Sequence, residues 1–163
     1  MKIVYVSGSP RKSGNTDFLL KSMISLTGGD FVKLSDYRVE PCLSCWSCVK
    51  SGECTIEDDM TNTFIPMLLK ADGIVLGSPV FFNNVSAQLK AFIDRTWSIK
   101  GSLRNKIGGA VVVGRRDGAE SAITAIHAFF LKQGEITEDY DAMESAKKLC
   151  ERLMELEAIL VPQ

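Results

Sequence analysis

Short apolar runs alternate with amphipathic segments along most of the chain. The runs are rich in β-branched and other apolar residues, as parallel strands buried on both faces are. They occupy residues 2–6, 31–34, 73–77 and 109–113. Between them, apolar residues recur at the spacing of one helix face, as in Leu89, Phe92 and Ile93. This alternation predicts an α/β fold with a parallel sheet, right-handed crossovers and helices on both faces.

Five helices are predicted in these intervals. The first begins at Asn15 or Thr16, and the second begins near Asp58 and Asp59, whose carboxylates suit a helix N-terminus. Pro66 either lies in the first turns of the second helix or kinks it. The other three helices span residues 86–97, 119–131 and 141–160.

Two stretches break the alternation. Residues 36–57 are polar and rich in cysteine, and a loop of this length in a compact domain is expected to serve a function. Only residues 135–137 remain for a fifth strand, which we expect to be short or missing. The 163 residues, 45% of them hydrophobic, suffice for one domain and not for two ordinary ones, so we expect a single domain over residues 1–163.

The predicted sheet also indicates where a ligand binds. In open parallel sheets, ligands bind beyond the carboxyl ends of the strands. Three loops follow those ends here, at residues 8–16, 78–84 and 114–118. We therefore expect the three loops to line one crevice.

The first of these loops is suited to a phosphate group. Its sequence is Gly8-Ser9-Pro10-Arg11-Lys12-Ser13-Gly14-Asn15-Thr16, and it joins a strand to a helix. A phosphate there would accept hydrogen bonds from backbone N–H groups at the positive end of the helix dipole, with side-chain donors in support. The loop lacks the motifs of nucleotide and dinucleotide phosphate loops, so a monophosphate fits better. The alternative is an ordinary turn with a helix cap.

The other two loops are suited to a flavin ring. Pro79 to Phe82 can supply flat apolar contacts together with backbone donors. Alternatively, Phe81 and Phe82 are core aromatics. Arg115 and Arg116 in the third loop would stabilise the negative charge of a reduced flavin, or they are solvated surface charges.

These loops resemble those of a known family. The strand followed by Gly-Ser-Pro-Arg-x-x-Gly-Asn-Thr resembles the FMN phosphate loop of the NADPH-dependent FMN reductase-like family, which has a flavodoxin-like fold. The segment from Ser78 to Asn84, followed by Ser86, Leu89-Lys90 and Phe92-Ile93-Asp94-Arg95, is similar to the family's second flavin-binding segment. The resemblance covers about residues 1–131 and resumes weakly in the last helix.

The resemblance implies a doubly wound, three-layer α/β/α domain with strand order 2-1-3-4-5 and bound FMN. The family normally has a full fifth strand and a long loop after the fourth helix, so a segment near residues 134–140 is expected to be absent here. Residue chemistry and resemblance together give the expected FMN-binding set: Ser9, Arg11, Ser13, Gly14, Asn15, Thr16, Pro79, Val80, Phe81, Phe82, Asn83, Gly114, Arg115, Arg116 and Gly118.

Four cysteines form a compact motif, Cys42-x-x-Cys45-x-x-Cys48 followed by Cys54. Three thiolates at successive spacings of three can bind three corners of a cubane cluster, and a fourth can close it. Structural zinc usually takes two separated Cys-x-x-Cys pairs. The motif therefore favours a [4Fe–4S] cluster, with zinc and metal-free thiols as the alternatives.

A motif of this kind, placed between the second strand and the next helix, is similar to that of the iron–sulfur flavoprotein group. In that group it binds one [4Fe–4S] cluster close to FMN, often that of a neighbouring subunit in a tetramer, which implies a homo-oligomer here. Cys150 is expected to be a buried hydrophobe and His127 to be structural. Because the sequence shows no Ser/His/Asp triad, hydrolytic chemistry has no support.

Charge and the amino-terminal sequence bear on partners and location. The chain has 19 basic and 20 acidic residues, mixed along its length, so we expect neither nucleic acid nor a membrane as a partner. The apolar run over residues 1–6 is too short for a signal peptide or a spanning helix. We therefore expect a cytoplasmic protein.

The combined features predict an FMN-dependent oxidoreductase that transfers electrons. A cluster carries one electron and FMN one or two, which would link a one-electron carrier such as a ferredoxin-like protein to a two-electron partner. One alternative is an NAD(P)H-dependent FMN or quinone oxidoreductase whose cysteines bind zinc or nothing. Another is a non-catalytic sensor of redox state or iron.

Overall fold

A computed structural model describes residues 1–134 as one parallel sheet with helices on both faces. The strands are β1 (Ile3–Ser7), β2 (Asp30–Lys33), β3 (Gly73–Pro79) and β4 (Ile107–Val113). Their order is β2-β1-β3-β4, which confirms the predicted order for these four strands. The predicted fifth strand and last helix, Cys150 and nearly all of the expected deletion lie outside the described residues.

Five α-helices accompany the strands, and none within residues 1–134 is long and apolar enough to cross a membrane. They are α1 (Asn15–Thr27), α2 (Ser47–Ser51), α3 (Ile65–Lys70), α4 (Ala87–Arg95) and α5 (Ala119–Gln133). The helix predicted over residues 86–97 is shorter than expected, because a 3₁₀ turn (Thr96–Ile99) follows α4 directly. The short helix α2 within the cysteine-rich segment was not predicted.

The helix predicted after Asp58 and Asp59 forms, with an irregular first part. A carboxylate oxygen of Asp58 accepts the Met60 N–H at 3.1 Å, as an N-terminal cap does. The chain then makes a π turn (Met60–Phe64) before α3. Pro66 lies in the first turn of α3, directly after the π turn, which confirms the first of the two expected positions.

Alternate residues of the central strands face two separate apolar cores. Val4 and Val6 of β1 belong to a large core that also contains residues of α3, α4 and α5. Ile3 and Tyr5 belong to a smaller core with Leu20 of α1 on the opposite face. The period of two along each strand thus separates the helices into layers, and the predicted three-layer α/β/α arrangement is confirmed.

The large core is centred on an aromatic group. The Phe64 ring is fully buried and meets Tyr37 edge-on at a centroid distance of 5.0 Å, and Phe92 at 5.4 Å. Such edge-to-face contacts add to the stabilisation from burial alone. Phe64 therefore joins the helix that follows the cysteine-rich segment to α4.

Replacing Phe64 with alanine should lower the free energy of unfolding by about 3–5 kcal/mol, because a buried ring is lost and a cavity remains. Urea unfolding followed by circular dichroism measures the change. The matched control is Leu69→Ala, since Leu69 is 43% exposed on the neighbouring helix. Its effect should stay near 0.5 kcal/mol, as is common for surface positions, and equal losses in the two variants would contradict this view of the core.

Candidate cofactor site and cysteine loop

The three loops predicted to line the crevice are joined by hydrogen bonds. The Gly8 N–H donates to the Gly77 carbonyl at 2.8 Å, and the Ser86 hydroxyl donates to the Gly8 carbonyl at 2.6 Å. The Val80 N–H donates to the Val113 carbonyl at 2.8 Å, which ties the second loop to the end of β4. The parallel strands therefore bring all three loops to one edge of the sheet.

Gly8 permits the first loop to lie directly against α4. A Cβ atom at Gly8 would come within 2.7 Å of the Leu89 Cβ and 2.8 Å of the Ser86 Oγ. The same Ser86 hydroxyl caps α4 by accepting the Leu89 N–H at 3.3 Å. Absence of a side chain at Gly8 is therefore what lets one serine bind the loop and the helix together.

The first loop exposes some of its predicted phosphate-binding residues and buries others. Arg11, Ser13 and Asn15 are exposed, whereas Ser9 and Thr16 are each only 2% exposed. No side chain caps the N-terminus of α1, the helix that this loop opens. Its first N–H groups therefore remain suited to an anion.

A buried ionic network lies beneath this loop, and sequence reasoning missed it. The Lys33 ammonium contacts an Asp17 carboxylate oxygen and the Arg11 carbonyl. The other Asp17 oxygen accepts the Ser7 hydroxyl at 2.5 Å, and the Ser7 oxygen accepts the Ser9 N–H at 3.2 Å. Because a buried charge is retained only with good partners, the network fixes the loop on β1 and β2. A lysine inside an otherwise apolar strand was the available signal.

The second loop is a tight hairpin that turns two phenylalanines outward. Phe81 and Asn84 exchange backbone hydrogen bonds of 2.8 and 3.1 Å. Between them, Phe82 and Asn83 have φ values of 47° and 59°, as in a two-residue type I′ turn. Phe81 is 43% exposed and Phe82 fully exposed, so the alternative that they are core aromatics is wrong.

The third loop packs closely on the second. Gly118 has φ +89°, and a Cβ atom there would lie 2.7 Å from the Asn83 Cα. A Cβ atom at Gly114 would lie 3.0 Å from the Val80 Cγ2. Arg115, Arg116 and Asp117 are exposed between these glycines. The two glycines thus set how closely the third loop approaches the hairpin.

Backbone and side-chain hydrogen bonds bring together the two ends of the cysteine loop, which we define as residues 40–58. Just outside it, the Arg38 N–H donates to an Asp59 carboxylate oxygen at 2.7 Å, and the Asp59 N–H donates to the Arg38 carbonyl at 3.1 Å. The Glu40 N–H donates to the other end, at an Asp58 carboxylate oxygen 2.8 Å away. The loop therefore has a closed neck.

Arg95 lies at this neck and is 2% exposed. Its guanidinium donates to both Asp58 carboxylate oxygens at 2.7 and 2.9 Å. It also donates to the Glu40 carbonyl at 2.9 Å, the Ile56 carbonyl at 3.2 Å and the Thr61 hydroxyl at 3.2 Å. One side chain thus contacts both ends of the loop and the start of the next helix.

The pKa values at the neck show a stable charge pair. Burial lowers the pKa of Arg95, but hydrogen bonding and attraction to Asp58, with smaller contributions from Cys54, raise it overall. Burial likewise raises the pKa of Asp58, while hydrogen bonds from Arg95 and the Glu40 N–H lower it overall. Both groups are therefore charged at neutral pH.

The four cysteines of the loop are free thiols. Cys42 and Cys45 are exposed, and Cys48 and Cys54 are half-buried. Left-handed turns at Ser44 (φ 52°) and at the residue before α2 (φ 59°) separate them. Within residues 1–134, no three His, Cys, Asp or Glu side chains form a group that could hold a metal ion. The loop places the thiols on one short segment, but their sulfurs are not gathered.

The Cys45 thiol has a lowered pKa. Hydrogen bonds from the side chain and backbone of Ser47, and from the Thr55 side chain, lower its pKa from 9.0 to about 7. The Cys45 Sγ lies 3.8 Å from the Thr55 Oγ1. Since the thiolate is the form that binds metals and reacts, Cys45 is partly in this form at neutral pH.

Apolar side chains of the loop lie on the surface. Leu43 is 74% and Trp46 is 59% exposed, although both stand between cysteines in the sequence. The Trp46 ring meets the Trp97 ring edge-on at 6.2 Å. The loop therefore rests against the 3₁₀ turn at the carboxyl end of α4.

Helix α4 separates the two groups of residues. Ser86 at its amino end touches the phosphate loop, and Arg95 at its carboxyl end holds the cysteine loop. At 1.5 Å per residue, the nine steps between them correspond to about 14 Å along the helix axis. The predicted flavin and thiol sites are thus on one rigid element, at opposite ends.

Arg95 and Asp58 were not predicted to act together. Asp58 was identified only as a helix-starting residue, and Arg95 only as part of a family-like segment. The signal for Arg95 was its phase, since it follows the buried Leu89 and Phe92 on the same face of α4. A buried arginine requires a partner carboxylate, but the sequence does not say which one.

The chain matches the family described as NADPH-dependent FMN reductase over residues 1–148. It is 43% identical over 140 residues to an iron–sulfur flavoprotein of Methanocaldococcus jannaschii, covering 80% of this chain and 72% of that protein. It is 34% identical to an iron–sulfur flavoprotein of Methanosarcina thermophila, covering 94% of this chain and 95% of the relative. That alignment spans 183 residues, more than this chain contains, so the relative has residues without a counterpart here.

Among solved structures, the Trp repressor binding protein of Bacillus subtilis superposes with a TM-score of 0.60 at 20% sequence identity. The match covers 82% of this chain and 78% of that one, and it supports the flavodoxin-like fold. The family match and the related sequences identify an FMN-dependent oxidoreductase. The chain belongs to the NADPH-dependent FMN reductase family and, within it, to the iron–sulfur flavoprotein group.

Proposed function

We propose that this protein transfers electrons between a one-electron carrier of the ferredoxin type and FMN, with a [4Fe–4S] cluster bound by Cys42, Cys45, Cys48 and Cys54. When bound, the cluster would exchange single electrons and FMN one or two, so that the pair joins one-electron and two-electron chemistry. The observation that supports this proposal most is the set of four free thiols on a loop whose two ends are held together, in a domain of this family.

The first loop is proposed to hold the FMN phosphate. The uncapped N-terminus of α1 supplies N–H donors, and the exposed Arg11 supplies a cation for a charge-assisted bond. Ser9, Ser13, Gly14, Asn15 and Thr16 complete the set. The buried Lys33–Asp17 network keeps the loop in place before any ligand arrives.

The second and third loops are proposed to line the flavin ring. The hairpin exposes Phe81 and Phe82, whose two rings would cover a flat apolar ligand. Pro79, Val80 and Asn83 belong to the same hairpin. The third loop, with Gly114, Arg115, Arg116 and Gly118, would place positive charge close to the ring.

The cysteine loop suits an iron–sulfur cluster by its donor chemistry. Four free thiols lie within thirteen residues, and thiolates are the ligands that such clusters take. Cys45, with its pKa near 7, would lose its proton readily as a metal binds. Gathering the four sulfurs requires movement in the exposed part of the loop, while the neck can stay closed.

The proposal extends to the oligomeric state and to the cellular location. The separation of about 14 Å along α4 lies between the first loop and the two ends of the cysteine loop, and we propose that electrons pass between subunits of a homo-oligomer, a dimer or tetramer. The exposed Leu43 and Trp46 would then be covered by a neighbour. We also propose that the protein works in the cytoplasm, where an exposed thiol set stays reduced.

A second candidate is an NAD(P)H-dependent FMN or quinone oxidoreductase without a cluster. The family description and the scattered sulfurs of the cysteine loop favour it. In this case the crevice would do the chemistry alone. Fast NAD(P)H oxidation by protein free of iron and sulfide would establish it.

Replacing Arg11 with alanine should weaken FMN binding about 10-fold or more and leave riboflavin binding unchanged, because only FMN carries the phosphate. Quenching of flavin fluorescence on titration measures both affinities. Lys12→Ala is the matched control, since it removes the same charge from the next exposed position. An equal loss for FMN and riboflavin, or an equal effect of Lys12→Ala, would show that this loop does not bind the phosphate.

Protein purified without oxygen should contain about four iron and four sulfide per chain, with broad absorbance at about 400 nm that dithionite bleaches. Cys45→Ser should remove most of the iron and leave FMN affinity unchanged. Cys150→Ser, outside the proposed ligand set, should keep the wild-type iron content. Wild-type iron content in Cys45→Ser would show that the ligand assignment is wrong.

A further inference from the structure

We propose that Arg95 is the positioning residue of the cysteine loop, holding its two ends together before any metal binds. This deepens the proposed function and rests on it in so far as the loop receives a cluster. Arg95 bonds to the carbonyl groups of Glu40 and Ile56, which flank the cysteines on either side. The two ends of the cysteine loop therefore lie close together, and all four thiols belong to the segment between them.

The arrangement is specific to a guanidinium group. The two terminal nitrogens of the planar guanidinium donate five hydrogen bonds. The acceptors lie at Glu40, at residues 56–58 and at Thr61. A lysine ammonium has three donors from one point and cannot reproduce this fork. The Asp58 carboxylate in turn accepts a hydrogen bond from the Glu40 N–H. Arg95 and Asp58 together therefore satisfy backbone groups at both ends of the cysteine loop.

The amino-terminal side of the neck is irregular backbone. Residues 38–46 form neither helix nor strand, so their carbonyl groups take donors from elsewhere, as the Glu40 carbonyl does from Arg95. Arg95 is the last residue of α4, a helix whose Leu89 and Phe92 are fully buried in the core. The closure therefore depends on the core of the domain and not on the thiols.

Cys54 is the cysteine nearest in sequence to a residue that Arg95 binds. It stands two residues before Ile56, whose carbonyl accepts a hydrogen bond from the Arg95 guanidinium. The other three cysteines belong to the exposed part of the loop or to α2. Arg95 thus acts on the four proposed ligands through the two ends of the loop.

The test compares two variants of the neck with a control. Arg95→Lys keeps the charge and loses the fork, whereas Arg95→Met combined with Asp58→Asn removes both charges and leaves an amide oxygen to cap the next helix. Replacing both members of the ion pair leaves no uncompensated buried charge, so the double variant avoids the large loss of stability that follows the removal of one partner alone. Arg38→Lys is the control, because Arg38 is an exposed arginine beside the same loop.

Hydrogen exchange in the metal-free protein is the first readout. Amides of residues 40–58 should exchange about 10-fold faster or more in both neck variants, with β1 and β3 unchanged and FMN affinity within about threefold of wild type. Initial rates of iron incorporation, followed at about 400 nm with ferric iron, sulfide and excess dithiothreitol as reductant, should fall by a similar factor, with Arg95→Lys less affected than the double variant. Arg38→Lys should match wild type throughout.

The outcomes separate this inference from the proposed function. Wild-type exchange of residues 40–58 in the double variant, with iron incorporation intact, would overturn the role of Arg95 and leave the proposed function standing. Faster exchange throughout the sheet would also overturn it, because Arg95 would then support the fold in general. If the wild-type protein takes up no iron, while residues 40–58 still exchange faster in the neck variants than in wild type, the proposed function is wrong. The role of Arg95 at the neck would then still hold.

Discussion

Parallel pairing of β1 with β3 is the constraint on which both candidate sites depend. The register sets Ser7 against Gly77, and the next residue, Gly8, continues the pairing through its N–H to the Gly77 carbonyl. The phosphate loop therefore begins at a fixed point on the central strands. Ser86 completes the link, because it binds the Gly8 carbonyl and caps α4 with one hydroxyl. The position of α4 follows from the sheet edge, and the position of the cysteine loop follows from α4.

Much of this architecture was predictable because it depends on local patterns. The four strands are short apolar runs followed by Gly, Ser or Pro, and the three loops at their carboxyl ends follow from parallel topology alone. The first loop is predicted to bind a phosphate group because its residue types suit one, and this role stays a prediction. The exposed hairpin was harder, since Phe81 and Phe82 read equally well as core residues until the positive φ at Phe82 turned the chain outward.

The features that the sequence did not reveal depend on contacts between distant residues. Arg95 and Asp58 are separated by 37 positions, and Lys33 and Asp17 by 16. Lys33 and Arg95 stand out in the sequence only by their apolar neighbours, and only the fold shows which cation meets which carboxylate. The same holds for the cysteines, whose spacing indicates a cluster but does not fix where the four sulfurs stand relative to one another.

The two buried ion pairs, Lys33–Asp17 and Arg95–Asp58, have the same structural role. A buried pair is weak evidence for stability, because apolar side chains of similar volume often stabilise a core equally well. Each pair here instead satisfies the backbone of an irregular loop: Lys33 binds the Arg11 carbonyl, and Arg95 binds the Glu40 carbonyl. Apolar residues cannot donate those hydrogen bonds, and carbonyl groups withdrawn from water without a partner are costly. Within residues 1–134, both buried ion pairs therefore lie where an irregular loop takes a defined shape.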